Sequence, residues 1–566
     1  MLLTLWMQRF SDNGVVFSGD GGLKALLAQQ IAQQLAAFDF PLDMALRLPA
    51  ADWLQGLWDQ GLYPFKPPYV YAIGSQRFIT FPFTFPLVSA PFYALFGDRG
   101  LYLIPLLSLW SVWLRFWQIG RRAHWDLIAL CMGLISLIFA SPLSLYGGMY
   151  WEHTLAVALA FWGVSELLFF GQSPKEKSEE SSKYHSSLYR YLSSGVLIGS
   201  AVWFRPEFLC LVAAVGLLAV TGWLLPQLKL IKLTKWAIAP AFAPAFKIEQ
   251  AAMLIGAMAC TVGIFFALNY AIYSHPLGIH AIQIVEESNP ETQFAQAKAG
   301  YGQMLSTLGR YFPVVVWVAI ATLITPELKK SNRKTSKKFR LARLNRTSTD
   351  SANQQNYSVT RFALALSFLV AFTVPLIVPP GAGGKQWGPR FYLILVPLLS
   401  VVMAEQLKAG VFHAWARRLA LAGAGIVLLM GLQINTIDGA FRSFQQGQSI
   451  SLPASYTPIA PALEALQQQP IPWIAISHEF VAQQLWSALP EKTFFLAETI
   501  AEVKQLATAL IAQNEAEFLY VCYPHRDCFV PDTPEANLKL LDGIHALRFV
   551  PLGKSGKYPL YKVEIY

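Results

Sequence analysis

Apolar runs, each near the roughly 20 residues needed to cross a bilayer, recur from residue 99 to residue 437. The pattern predicts ten membrane-spanning helices, at about 99–119, 125–145, 153–171, 188–204, 207–225, 250–273, 310–325, 361–380, 390–406 and 419–437. Residues 81–97 ("FPFTFPLVSAPFYALFG") are apolar too, but short and interrupted by Pro82, Pro86 and Pro91. They read as a re-entrant or interfacial helix, where water and headgroups can meet the freed backbone groups. Before them, "GLKALLAQQIAQQL" places Leu23, Leu26, Leu27, Ile31 and Leu35 on one helical face. Trp53 and Trp58 in "DWLQGLWDQGLYPF" suit the membrane interface. After residue 437 the period changes. "PWIAISH", "TFFLAE" and "EFLYVCYPH" read as strands, with the helical "IAEVKQLATALIAQ" between two of them. "ALRFVPLG" and "YPLYKVEIY" read as closing strands, so the tail is a small α/β domain of the parallel-sheet kind.

Three regions follow: 1–98, an N-terminal remnant and amphipathic outer loop; 99–437, the spans; and 438–566, the tail domain. Composition agrees. Of 566 residues, 54% are hydrophobic and 14% charged, against roughly 25% charged in soluble domains. The net charge of +10 does not imply nucleic-acid binding. Nine basic residues sit in 329–346 ("KKSNRKTSKKFRLARLNR"), the signature of a cytoplasmic loop. With that loop inside, "GRRAH" (120–124), 172–187, 226–248 and 405–418, which carries "WARR", also fall inside. The loops 18–98, 146–152, 205–207, 274–309 and 381–389 fall outside, as does the tail. One difficulty is that no span precedes the first outer loop: Met1–Phe17 reads as the remnant of a longer helix, or the start lies upstream. Cys131, Cys210 and Cys260 lie in apolar runs and read as packing residues. Cys522 and Cys528 could close a disulfide loop in an extracytoplasmic tail.

Charge is costly in a bilayer, so charged groups at span ends are informative. Four groups converge on the outer side. Asp20 stands among Gly19, Gly21 and Gly22 in "VVFSGDGGLK"; the plainer reading is a helix cap. Glu152 and His153 begin a span in "YGGMYWEHT"; the plainer reading is an interfacial carboxylate in an aromatic belt. Arg205 and Glu207 in "WFRPEF" turn the chain between two spans, or simply pair across that turn. "GAGGKQWGPRFY" (381–392) carries Lys385, Trp387 and Arg390. Outer positive charge runs against the usual bias, which favours anion binding there. Lys66 in "YPFKPPYVY" is a further cation. Such cations suit a lipid phosphate. A nearby carboxylate can take a proton from a hydroxyl or hold a divalent metal.

The order of these motifs resembles the GT-C glycosyltransferases, among them protein O-mannosyltransferases and lipid A aminoarabinose transferases. The likeness is carried by the acidic first loop, "FPFTFPLVSAPFYALFG", "WFRPE" and "WGPRFYLILVPLL". It covers about 18–437. It implies a multi-pass α-helical membrane enzyme with an extracytoplasmic tail domain, in the cytoplasmic membrane. It implies transfer of a sugar, hexose or pentose, from a polyprenyl-phosphate donor to a glycan, lipid or protein hydroxyl, with inversion. Catalytic carboxylates would fall on Asp20 and Glu152. Donor-phosphate contacts would fall on Arg205 and Arg390, with Lys66 or Lys385, and His153, Glu207 and Trp387 would be neighbours. Mg or Mn at Asp20 is open. Two departures from the family are read here: no first transmembrane helix is expected before the acidic loop unless the start lies upstream, and one Asp20 stands where the mannosyltransferases have an Asp-Glu pair. A transporter or flippase of a lipid-linked or anionic substrate, or a non-catalytic glycan-assembly protein, are the competing readings.

Overall fold

The computed structural model describes residues 1–8, 19–48, 51–168, 180–227, 246–279, 290–323, 347–378, 387–409, 414–445, 459–524, 528, 538–540 and 544–566. The basic stretch 329–346 and Lys385 lie outside them. The first region holds α1 (Leu2–Gln8), α2 (Gly19–Ala37), α3 (Asp52–Leu57), the hairpin β1 (Val70–Ile73) and β2 (Gln76–Ile79), and α4 (Thr84–Phe96). The helical body follows: α5 (Leu103–Arg122), α6 (Leu127–Ile138), α7 (Leu143–Gly147), α8 (His153–Leu168), α9 (Glu180–Phe204), α10 (Leu209–Gln227), α11 (Ile248–Tyr273), α12 (Pro290–Tyr311), α13 (Val314–Leu323), α14 (Thr347–Ile377), α15 (Leu395–Leu407) and α16 (Ala414–Leu432).

Five helical segments among the described residues are long and apolar enough to cross a membrane, or six if the bent pair Ala297–Tyr311 and Val314–Leu323 is one span. Three of the expected spans are shorter helices: α6, α8 and α15. The causes are local. Helix α6 ends before Ser141-Pro142, where the Ser141 hydroxyl donates to the Leu137 carbonyl. Helix α15 starts only after a tight turn at Arg390–Tyr392. Every residue of α15 is buried, so it is a central helix enclosed by protein. At one end of the body Asp126 caps α6, pairs with Arg417 at 2.7 Å and accepts from the Ala409 N–H at 2.8 Å. Of the groups singled out above, Asp20, Glu152, Arg205, Glu207 and Arg390 are brought together elsewhere in the body.

The C-terminal domain contains α17 (Ala460–Gln468), β3 (Trp473–Ile476), α18 (Glu479–Gln484), β4 (Thr493–Leu496), α19 (Ile500–Ile511), β5 (Glu517–Val521), β6 (Leu538–Lys539), β7 (Ala546–Ser555) and β8 (Tyr558–Ile565). Sheet order is β4-β3-β5-β8-β7-β6. Only β4, β3 and β5 are parallel; β8, β7 and β6 add on antiparallel, so the sheet is mixed. Cys522 and Cys528 are joined by a disulfide.

Two expectations about the first region are corrected. Helix α2 does not bury one face alone: Gly21 to Ala28 are buried all round. It is wedged between α4 and the C-terminal domain, so its polar-looking face is covered as well. Trp53 and Trp58 do not lie at an interface with lipid. Trp58 is buried and donates to the Phe494 carbonyl at 3.3 Å, and Trp53 packs edge-on against Trp473 at 5.3 Å. These tryptophans seat the C-terminal domain on the first loop.

Candidate active site

The site begins with a chain of four buried charges. Lys24 Nζ donates to Glu152 Oε2 at 2.6 Å, and Arg205 donates to Glu152 Oε1 at 2.9 Å. Arg205 Nε also donates to Glu207 Oε1 at 2.6 Å. Two positive and two negative charges thus balance in a space where Lys24 is 2% and Glu152 1% exposed. Buried charges persist only when paired and hydrogen-bonded in this way. Local structure places each one. Glu152 precedes the N-terminus of α8 and Arg205 follows the C-terminus of α9, where the helix dipoles favour those signs.

Burial alone would raise the Glu152 carboxyl, but Lys24 and Arg205 outweigh it and hold it at about 2. Burial lowers the Lys24 ammonium, and the pull of Glu152 and Asp20 offsets only part of that. Burial works against the Arg205 charge as well, yet Glu207 and Glu152 leave it above its ordinary value. Glu152 is therefore a fully engaged carboxylate with both oxygens committed.

The second part of the site is Arg390 with Asp20. Arg390 lies 3.9 Å from Asp20 Oδ2, and their side chains are 18% and 20% exposed. The separation exceeds a hydrogen bond, so among the described residues Arg390 leaves the Asp20 oxygens unengaged. Asp20 sits in the first turn of α2. The Phe391 ring joins the two parts: the Arg390 guanidinium lies 4.8 Å from its centroid and that of Arg205 5.6 Å. Gly388 makes this approach, with φ of +74°, which lets the chain turn into Arg390. A Cβ there would also press on Tyr311 and Pro142 at 3.1 and 3.3 Å.

Several buried polar groups around the two arginines have no hydrogen-bond partner among the described residues. They are Arg390 Nε, the Tyr146 hydroxyl and both nitrogens of His153. Tyr146 and His153 lie within electrostatic reach of Arg205 and Arg390. His153 stacks on Trp151 at 5.0 Å. Unmet hydrogen-bonding groups beside two cations form a lining suited to an anion.

The remaining candidates fall elsewhere. Trp387 is not at a lipid interface: it is buried, donates to Asn435 Oδ1 at 3.1 Å and meets Tyr311 edge-on. It anchors the segment leading to Arg390. Lys66 pairs with Glu498 and stands 3.8 Å from Glu479, both in the C-terminal domain. Two residues of the cluster were not singled out from sequence: Lys24 reads as the polar side of an amphipathic helix, and Phe391 as an ordinary span aromatic. Tyr146 reads as part of the aromatic belt beside Glu152.

A divalent metal fits poorly at Asp20, because both Glu152 oxygens are committed and Arg390 and Lys24 already act on the Asp20 charge. Among the described residues, His478, Glu479 and Glu498 have ligand spacing, with donor atoms within 4.8 Å of one another. There the Lys66 ammonium already pairs with the carboxylates, and His478 Nδ1 accepts from the Phe480 N–H at 3.2 Å. That set, too, does not fit a metal as it stands.

No known protein-family model matches the chain, and no curated protein matches it. Solved structures show distant likenesses. The chain is similar to the apo oligosaccharyltransferase of Archaeoglobus fulgidus, with 11% identity over 92% of this chain and 69% of that one, at a TM-score of 0.45. It is similar to apo ArnT from Cupriavidus metallidurans, with 12% identity over 99% of this chain and 96% of that one, at a TM-score of 0.33. ArnT bound to undecaprenyl phosphate gives 13% identity, the same coverage and a TM-score of 0.32.

Proposed function

We propose that the chain is a membrane glycosyltransferase that moves a sugar from a polyprenyl-phosphate donor to an acceptor hydroxyl on the extracytoplasmic side. The observation that carries this reading is the pair Arg390 and Asp20, part-exposed and beside unmet polar groups, set on a buried and neutralised frame. Arg390, with a free Nε, and the remaining donors of Arg205 hold the donor phosphate. Asp20 takes the proton of the acceptor hydroxyl. The acceptor oxygen bonds to the anomeric carbon as the bond from that carbon to the phosphate oxygen breaks. Its electron pair leaves with the phosphate, whose growing charge the arginines stabilise. One displacement inverts the anomeric centre.

Glu152 is a strut in this scheme and not a second base, because its oxygens are occupied and its carboxyl is held at about 2. A base needs a pKa nearer the working pH. The test uses a deletion strain of the source organism complemented with wild type, Asp20→Asn or Arg390→Ala. Both variants should fail to restore the envelope glycan and should accumulate the lipid-linked donor. Full restoration by both would overturn the reading.

A further inference from the structure

The C-terminal domain packs against the turn that carries the candidate base. A Cβ on Gly19 would stand 2.2 Å from Gln483 Oε1, and one on Gly22 would stand 1.7 Å from the Gln483 carbonyl oxygen. Asp20 lies between these glycines, so α18 packs against the turn that presents it. Gln483 is fully buried, and neither atom of its amide has a partner among the described residues. The Trp486 indole N–H beside Gly22 has none either.

The same contact, mostly buried, gathers chemistry that the phosphate clamp does not use. His478 stacks on Tyr523 at 5.0 Å and lies 4.6 Å from Phe480. Tyr69 of the first loop meets Phe480 edge-on at 5.3 Å. Burial, with the charges of Asp20 and Glu479, pushes the Tyr69 hydroxyl up to about 12, and Arg390 acts on it too. Tyr69 thus stands between the candidate base and the C-terminal domain. Lys66 and Glu498, 41% and 31% exposed, edge this surface as an ion pair over the buried Glu479.

Flat aromatic faces beside carboxylates, an ammonium and an unmet amide match one ligand class well. A pyranose offers C–H faces to rings and hydroxyls to charged acceptors and amide donors. We infer that Tyr69, Phe480, Glu479, Glu498, Lys66 and Gln483 form the acceptor subsite, which takes a saccharide and delivers one of its hydroxyls to Asp20. This rests on the transferase reading above. The domain is then a working wall of the site, and its docking by Trp53 and Trp58 assembles the acceptor side.

The experiment compares wild type, the double variant Glu479→Gln/Glu498→Gln, Tyr69→Ala and Arg205→Ala as full chains. Two readouts are taken: envelope glycan restored in the deletion strain, and undecaprenyl phosphate binding by protein in nanodiscs. The double variant and Tyr69→Ala should restore at most one tenth of the wild-type glycan while binding undecaprenyl phosphate within twofold of wild type. Arg205→Ala should lose both. Restoration within twofold of wild type by the double variant and by Tyr69→Ala overturns the subsite. So does a parallel tenfold loss of lipid-phosphate binding in both, which would put these residues on the donor side. Identical glycans in the parent and deletion strains would instead sink the transferase reading, and Tyr69→Ala, at a part-buried position, keeps the comparison open if the double variant fails to fold.

Discussion

Replacing Lys24 and Glu152 together should cost less than the sum of the two single replacements. The four buried groups Lys24, Glu152, Arg205 and Glu207 sum to zero charge. Lys24→Met leaves one surplus negative charge; Glu152→Gln leaves one surplus positive charge. The carboxyl of Glu152 sits at about 2 against an ordinary value of 4.5, which corresponds to about 3 kcal/mol at 1.36 kcal/mol per unit. Breaking a buried pair costs about 3–5 kcal/mol by precedent, in agreement. The double variant restores neutrality, because Arg205 keeps Glu207 at 2.6 Å. It should recover at least about 1–3 kcal/mol of the summed single losses. The assay is thermal unfolding of the full chain in detergent, as a double-mutant cycle. Strictly additive losses would refute the shared neutral frame. The pH dependence has a fixed sign. The folded carboxyl lies below its ordinary value, so its stabilisation is complete above about 4.5 and is lost as pH falls through about 2.

Two further predictions follow from the same geometry. Gly22→Ala should lower the unfolding temperature and glycan transfer together, because the Cβ meets a backbone carbonyl that no rotamer change can move; overpacking of this kind costs about 1–3 kcal/mol, and an unchanged unfolding temperature would contradict it. The alkaline limb of activity should lie below the ordinary lysine range of about 10.4, because burial lowers Lys24, and Lys24→Arg should move that limb upward; an unmoved limb excludes Lys24 as its source. Stability has the opposite slope there, since the unfolded chain holds more protons between the two values and stability rises with pH.

The charged groups at span ends were readable from sequence because a bilayer makes such groups rare. Glu152, Arg205, Glu207 and Arg390 stand out for that reason, and the structure gathers them with Asp20. Lys24 was not readable. Its position in "GLKALLAQQ" suits a solvated helix face, and its burial depends on a partner 128 residues away. The tail strands were legible from their alternation, whereas the mixed pairing of β8, β7 and β6 depends on long-range register. The burial of Trp58 and Trp387 was hidden for a like reason: an interfacial and a buried tryptophan have the same local signature, and Phe494 and Asn435 decide between them.

The clamp proposed for Arg390 and Arg205 is tested most directly by titrating undecaprenyl phosphate into the full chain in nanodiscs. Arg390→Ala should weaken binding at least tenfold, about 1.4 kcal/mol. Lys66→Met, whose ammonium pairs with Glu498, should stay within twofold of wild type. The reverse result, with Lys66 needed and Arg390 dispensable, would contradict the account.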